Sequence, residues 1–215
     1  MRLALFDVDG TVLRGNSWHE YFWWTARCRP GFAPGLLARL VLRRAGLLSA
    51  RTLQHAALRP LRGLNAAAVQ QHGRRLGAER LHGMVRPAAR REMAHRRAEG
   101  CTLVLATGAF DFLAEPLAAE LGVEEVVCTR LEFVGGLCTG RIAGAEARGQ
   151  TKADLVRARF ADWAVDWAQS RAYSDDWEDA PLFALVGQPV FIAPGGVRPA
   201  GAPSTLQSAD WDASA

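Results

Sequence analysis

The sequence predicts an α/β fold, a doubly wound and mostly parallel sheet with an inserted helical cap subdomain, from three observations on its 215 residues. Short apolar runs alternate with segments of helical periodicity. Three of those runs stop on polar residues. One long stretch, 16–82, carries helix signals and no convincing strand. A helix between two strands returns the chain to the same end of the sheet, so alternation of this kind builds parallel neighbours.

Taken in order, residues 3–8 (LALFDV) form a short apolar run typical of a buried strand, and Asp9-Gly10-Thr11 opens a tight, glycine-dependent loop. The first helix of the insert is capped by Asn16 or Ser17. Ser17-Trp18-His19-Glu20 fits the capping-box pattern, and Arg29-Pro30-Gly31 supplies a stop. Helices over 34–46, 49–59 and 65–80 complete the insert, the last with Asn65 as its cap. A helix over 86–98 precedes a second strand, 102–106 (TLVLA), which stops at Thr107-Gly108. A helix over 110–121 then leads to a third strand at 125–129. Between LEFV (131–134) and LCTGRI (137–142), Gly135-Gly136 is a two-residue hairpin turn. A helix over 151–163, a weaker strand 171–174 (RAYS) stopping at Asp175-Asp176, a helix over 179–186 and a strand at 189–193 follow. Beyond Pro194-Gly195-Gly196 the composition turns to Pro, Gly, Ala and Ser, which predicts a mobile tail. The expected organisation is an α/β core of 1–15 and 83–198, a helical cap at 16–82 and a flexible tail at 199–215.

Composition narrows the class. With 49% hydrophobic and 22% charged residues, the chain is neither disordered nor collagen-like nor a disulfide scaffold. Its 26 basic residues are 25 arginines and one lysine, Lys152, so a plain positive charge is written as arginine and the lysine needs a separate reason. The formal +4 is unevenly spread. Residues 12–94 hold 15 arginines against Glu20, Glu79 and Glu92, either to meet an anion or as a solvated helical surface. Cys28, Cys101, Cys128 and Cys138 lack metal-ligand spacing and are expected as reduced, buried thiols. No signal-peptide pattern and no apolar stretch of about 20 residues occurs, so a cytoplasmic location is expected.

His19, His55, His72, His82 and His95 have no metal-ligand pairing and are read as structural or surface residues, and Trp163, Trp167 and Trp177 as packing residues. Trp18, Tyr21, Phe22, Trp23 and Trp24 are denser than one helix face requires, which suits a substrate pocket or a membrane contact. The segment 32–48 (FAPGLLARLVLRRAGLL) fits a packed cap helix or an interfacial amphipathic one, which would place the chain peripherally at the inner membrane surface.

In an open α/β sheet, ligands bind beyond the carboxyl ends of the strands, where Asp7, Asp9, Thr107, Asp175 and Asp176 fall. Aspartates this close repel one another unless a cation neutralises them. Hard oxygen donors suit Mg²⁺, and without Cys or His among them zinc does not fit.

Four motifs appear in order: Asp7-Val8-Asp9-Gly10-Thr11 as DxDGT, Thr107-Gly108 after an apolar strand, Lys152, and Asp175 with Asp179 in SDDWEDAPLF. In these the chain resembles the haloacid dehalogenase superfamily of phosphohydrolases over about residues 1–195. The helical insert between the first two motifs, and the hairpin before the loop 144–151 that leads to Lys152, resemble the phosphoserine phosphatase branch. The resemblance implies a Rossmann-like core and a set of roles. Asp7 would be the nucleophile forming an aspartyl phosphate, and Asp9 would protonate the leaving alkoxide and then activate water. Mg²⁺ would be held by Asp7, the backbone carbonyl of Asp9 and Asp175. Thr107, Gly108 and nearby N–H groups would bind phosphoryl oxygens at a helix start, with Lys152 set on the phosphoryl group and Asp176 and Asp179 in support.

An arginine would not replace Lys152, because a planar fork is larger than an ammonium and demands a bidentate partner. In phosphoserine phosphatases a Glu nine residues after the nucleophile recognises the substrate amine. Asn16 stands there, with Glu20 one helical turn on. A strongly basic cap would suit a substrate with further anionic groups, or one presented at an anionic lipid surface. The expected function is thus a Mg²⁺-dependent phosphatase acting on a phosphorylated small molecule or lipid head group. A phosphotransferase would use the same intermediate. A basic module binding nucleic acid or another anionic partner is the alternative from outside the enzymes, and the absence of a recognised nucleic-acid motif stands against it.

Overall fold

The computed structural model describes residues 1–213 apart from Leu48, Pro194, 196–198, Gly201 and 204–205; the expected core boundary at 198 lies outside the described residues. Seven strands form one sheet: β1 (Arg2–Phe6), β2 (Cys101–Phe110), β3 (Glu125–Val134), β4 (Leu137–Ala143), β5 (Arg171–Ser174), β6 (Gln188–Ile192) and β7 (Gln207–Ala209). Their order is β4-β3-β2-β1-β5-β6-β7, with every pairing parallel except the β3–β4 hairpin. The expected doubly wound α/β sheet is what forms. Its central strands are covered on both faces. Ala4 and Phe6 pack with Leu103, Leu105 and Tyr173 on one side, and Leu3 and Leu5 with Val104, Ala172 and Phe191 on the other. Such two-sided burial is why these strands read as continuous apolar runs instead of alternating ones.

The strand order reverses at β1: the chain steps to β2 and β3 on one side, then crosses to β5 on the other. The loops leaving β1 and β5 therefore diverge and open a crevice at the strand ends.

Among the described residues, eight helices accompany the sheet: α1 (Ser17–Cys28), α2 (Ala33–Arg44), α3 (Ala50–Leu58), α4 (Ala66–Leu76), α5 (Pro87–Ala98), α6 (Asp111–Leu121), α7 (Gly149–Arg159) and the single-turn α8 (Ala180–Phe183). Asn16 is the cap of α1, its Oδ1 accepting the His19 N–H at 3.1 Å. Ser17 is instead the buried first helical residue, and the Glu20 carboxylate reaches Arg80 at 2.8 Å. The capping box is thus not made, because a cation from another element holds its acid. Asn65 caps α4 through the Ala68 N–H. Trp18, Tyr21, Phe22 and Trp24 pack into the core under α1, and Trp23 stays 53% exposed. Gly135 and Gly136 both lie at positive φ, 58° and 78°, as a two-residue hairpin turn of the primed type requires.

Several boundaries move. Strand β2 runs on past the expected end at 106, through Thr107 to Phe110, and α6 starts at Asp111, one residue after the expected 110. The runs 125–129 and 131–134 fuse into the single strand β3. Helix α4 stops at Leu76 and continues as a π turn, Gly77–Leu81. The segment after Asp176 is a 3-10 turn, Trp177–Asp179, followed by α8. Cys28 is exposed, while the other three thiols are buried.

The described part of the expected mobile tail is ordered. Strand β7 pairs with β6, Leu206 and Trp211 are buried, and the Trp211 ring lies 5.6 Å from that of Tyr173. Asp212 pairs with Arg14 at 3.3 Å and with Arg86. Two apolar anchors and one acid thus hold a segment whose small-residue composition suggested none.

Candidate active site

The loop after β1 is tied down from several directions. The Asp7 N–H donates to the Tyr173 carbonyl of β5 at 2.9 Å, Leu13 N–H to Val8 O, Arg14 N–H to Met84 O, and the Arg86 guanidinium to Gly10 O at 3.0 Å. Gly10 turns at φ +83°, and a Cβ on it would lie 2.1 Å from the Asp175 carboxylate. Only glycine therefore lets the first and fourth motifs approach. Thr11 then clamps them: its hydroxyl donates to Asp175 Oδ1 at 2.8 Å and accepts the Asp175 N–H at 2.9 Å.

Lys152 lies in the first turn of α7, buried at 4% exposure. Its Nζ donates to Asp7 Oδ1 at 2.9 Å and to Asp179 Oδ2 at 2.7 Å. A cation at a helix start works against the dipole, and the two carboxylates compensate. The Ser174 hydroxyl at the end of β5 also donates to Asp179 Oδ2, at 2.6 Å. Burial pushes the Asp7 carboxyl well above the usual carboxylate range, opposed by the Lys152 ammonium. Burial also disfavours that ammonium, but Asp7 and Asp179 outweigh it and hold its pKa above the ordinary lysine value. Asp9 is raised by burial as well, although its Oδ1 accepts the Ser17 N–H at 2.6 Å, and Asp175 is raised by burial against the Thr11 hydrogen bond.

All eight residues singled out from the sequence, Asp7, Asp9, Thr107, Gly108, Lys152, Asp175, Asp176 and Asp179, line one cavity of about 390 Å³ at the strand ends. The pairing of β2 with β3 is interrupted between Ala106 and Phe110, which takes Thr107 and Gly108 out of the ladder. The Thr107 hydroxyl accepts the Ala109 N–H at 3.0 Å. Asp176 caps the following 3-10 turn through the Glu178 N–H at 2.9 Å and is exposed at the cavity wall.

Sequence reasoning missed Arg148, the cavity's second cation, which nothing distinguishes among 25 arginines, and His19 at its edge. None of the insert's arginines lines this cavity; Lys152 and Arg148 both come from the region around α7. Glu20 does not line it either, because it is turned to Arg80.

Six carboxylates line the cavity against those two cations, so a phosphate would meet net negative charge unless a further cation were present. Among the described residues, no three His, Cys, Asp or Glu side chains converge as a metal nest. Asp7, Asp175 and the Asp9 turn line the cavity together, and carboxylate, main-chain and water oxygens are the kind of hard donors that Mg²⁺ accepts.

Residues 4–184 match the family model for haloacid dehalogenase-like hydrolases. Protein CicA of Caulobacter vibrioides is 28% identical over 192 residues, which is 86% of this chain and 83% of that protein. Phosphoserine phosphatase SerB1 of Mycobacterium tuberculosis is 27% identical over 198 residues, 89% of this chain and 64% of the other. The crystal structure of a protein of unknown function from Bordetella pertussis Tohama I superposes with a TM-score of 0.79 at 25% identity, covering 98% of both chains. The chain belongs to the haloacid dehalogenase-like hydrolases, in the branch that holds the phosphoserine phosphatases, and is a phosphatase.

Proposed function

We propose that this phosphatase is a Mg²⁺-dependent phosphomonoesterase that hydrolyses a phosphorylated small molecule or lipid head group through an aspartyl phosphate on Asp7. The observation that carries this reading is the buried Lys152 ammonium bridging Asp7 and Asp179 at 2.9 and 2.7 Å on the wall of an otherwise acidic cavity. That cation fixes the Asp7 carboxylate by one oxygen and stands ready to offset charge on a phosphoryl group beside it.

In the first half-reaction a carboxylate oxygen of Asp7 bonds to phosphorus as the ester oxygen leaves, and Asp9 gives that oxygen its proton. Burial raises the pKa of Asp9, in the direction that favours its proton-bearing form, and the Ser17 N–H aims its carboxyl. In the second, Asp9 takes a proton from water, whose oxygen bonds to phosphorus while the Asp7–phosphorus linkage breaks, releasing phosphate and restoring both acids. Thr107 and the main chain around Gly108 bind phosphoryl oxygens, with Arg148 adding a donor at the wall. Asp7, the Asp9 carbonyl and Asp175 would hold Mg²⁺, which when bound screens the approach of a carboxylate to a phosphate dianion.

The side chain of Asn16 is engaged in capping α1, and no acid occupies its place. The ammonium group of phosphoserine would therefore lack its usual partner there, which favours phosphomonoesters without an amine at that position. Mg²⁺-dependent release of phosphate from an aryl phosphate, lost in Asp7→Asn, tests the chemistry; an active Asp7→Asn enzyme overturns it. Comparing kcat/KM across phosphorylated metabolites and lipid phosphates then identifies the substrate.

A further inference from the structure

Helix α2 is the least covered helix of the molecule. None of its described side chains is buried, although Leu40 packs against the core from the inner side. At about 100° per residue, Pro34, Leu37, Ala38, Val41 and Leu42 share one outward arc of about 140°. That arc holds no charge. Its larger side chains are open to solvent, Leu37 at 42%, Val41 at 66% and Leu42 at 41%, and Leu47 just beyond the helix is 74% exposed. Arg44 borders the arc on one side and Arg39 lies about 60° beyond it on the other, while Arg43 is on the opposite side of the helix.

The surroundings extend the pattern. Between the insert and the β3–β4 hairpin lies a second cavity, of about 580 Å³, lined by Arg39, Arg59, Arg62, Arg141 and His55. The His55 Nε2 is buried with no hydrogen-bond partner. Val134 and Leu137, flanking the hairpin turn at 65% and 49% exposure, edge the same cavity. From residue 21 to 78 the chain has ten arginines and no aspartate or glutamate.

We propose that this face docks on an anionic lipid bilayer, with the α2 arc inserted among the acyl chains in the plane of the interface and the arginine-lined cavity receiving lipid phosphate. Three points select this occupant. A nucleic acid has no use for a charge-free Leu/Val arc. A second copy would set arginines against arginines. No described helix is long and apolar enough to cross a membrane, whereas an apolar arc bordered by arginines matches a helix lying in the interface. The proposal goes beyond the chemistry at Asp7 and is read without any turnover, so failure of either leaves the other standing.

The test is cosedimentation of the full chain with phosphatidylcholine vesicles, with and without phosphatidylglycerol. The wild type should bind the anionic vesicles about tenfold or more tightly than the neutral ones, given the attraction per arginine near such a surface. Val41→Asp, and independently Leu47→Asp, should each weaken that binding about tenfold while leaving aryl phosphate hydrolysis and the circular dichroism spectrum unchanged. Arg39→Glu with Arg44→Glu should remove the preference for phosphatidylglycerol. No binding by the wild type overturns the proposal, as does binding that both aspartate variants retain in full. So does a lipid-free dimer in sedimentation velocity that Val41→Asp dissociates, which would assign the face to a second copy.

Discussion

Replacing Lys152 by arginine keeps the charge and changes only its shape, so it isolates what an ammonium does at this position. The side chain is 4% exposed and its Nζ touches two carboxylates on different elements. A guanidinium is longer and broader, and in a filled site the added atoms cost about 1–3 kcal/mol of overpacking. The larger effect falls on the reaction. A preorganised charge moved off the developing phosphoryl charge costs about 3–4 kcal/mol, a fall in kcat of about 10² to 10³. The assay is steady-state hydrolysis of an aryl phosphate at saturating Mg²⁺, alongside thermal denaturation. Lys152→Arg should melt a few degrees low and remain folded, with kcat down at least about a hundredfold. Lys152→Met provides the contrast: it leaves Asp7 and Asp179 without their counter-ion and should lose about 3–5 kcal/mol of stability. If Lys152→Arg turned over within about threefold of wild type, positive charge alone would suffice and the argument from the solitary lysine would be wrong.

Gly10→Ala puts a methyl group 2.1 Å from the Asp175 carboxylate at a φ of +83°, so that carboxylate must leave its Thr11 clamp. A Mg²⁺ titration of activity should shift to higher concentration by about tenfold or more, the metal losing one of its two carboxylate ligands; an unchanged titration would refute the pairing of Gly10 with Asp175. Trp211→Ala should lower the urea midpoint by the equivalent of about 3 kcal/mol, since it empties the site beside Tyr173. A truly mobile tail would show no change. His72 packs on Trp24 with its Nε2 unpartnered, and burial, aided by Arg29 and Arg75, pulls its pKa down to about 4. The unfolded chain takes up this proton near pH 6.5 and the fold only near 4, so stability should fall as pH drops through that window. The loss is about 1–2 kcal/mol after allowing for partial exposure. His72→Gln should flatten the profile of melting temperature between pH 4 and 7, and an equally steep profile would assign the loss to other groups.

The positions that chemistry holds fixed were the legible ones. Strands β1 and β2 show in the sequence because burial on both faces demands unbroken apolar runs, and Asp7, Asp9, Thr107, Lys152 and Asp175 show because each follows such a run or stands alone in type. What escaped depends on partners far along the chain. Glu20 looked like a capping acid or a substrate ligand until Arg80, 60 residues on, took its carboxylate. Strand β7 was hidden because Leu206 and Trp211 are isolated in a Pro- and Ala-rich stretch, and what holds the segment belongs to other strands: the Tyr173 ring beside Trp211 and Val190 of β6 paired with Gln207. The end of β2 was placed too early because Thr107-Gly108 looks like a stop, whereas the strand continues through Ala109 and Phe110.

The unequal spread of charge can be given a cause. The insert's arginines do not line the candidate active-site cavity, which takes its cations from Lys152 and Arg148 and is lined by six carboxylates. An acidic cavity has a use in this chemistry. Burial raises the proton affinity of Asp9, in the direction that its role as an acid requires, and the carboxylates together demand a divalent cation before a dianion can enter. The arginines of the insert must therefore be explained elsewhere. Several are consumed internally, Arg75 by Glu79 and Arg80 by Glu20. Arg39, Arg59 and Arg62 instead meet at the second cavity with no acid lining it. Exposed like charges brought together cost free energy in the isolated fold, so their clustering beside an uncharged apolar arc is best accounted for by an anionic surface that offsets the repulsion when the protein is bound.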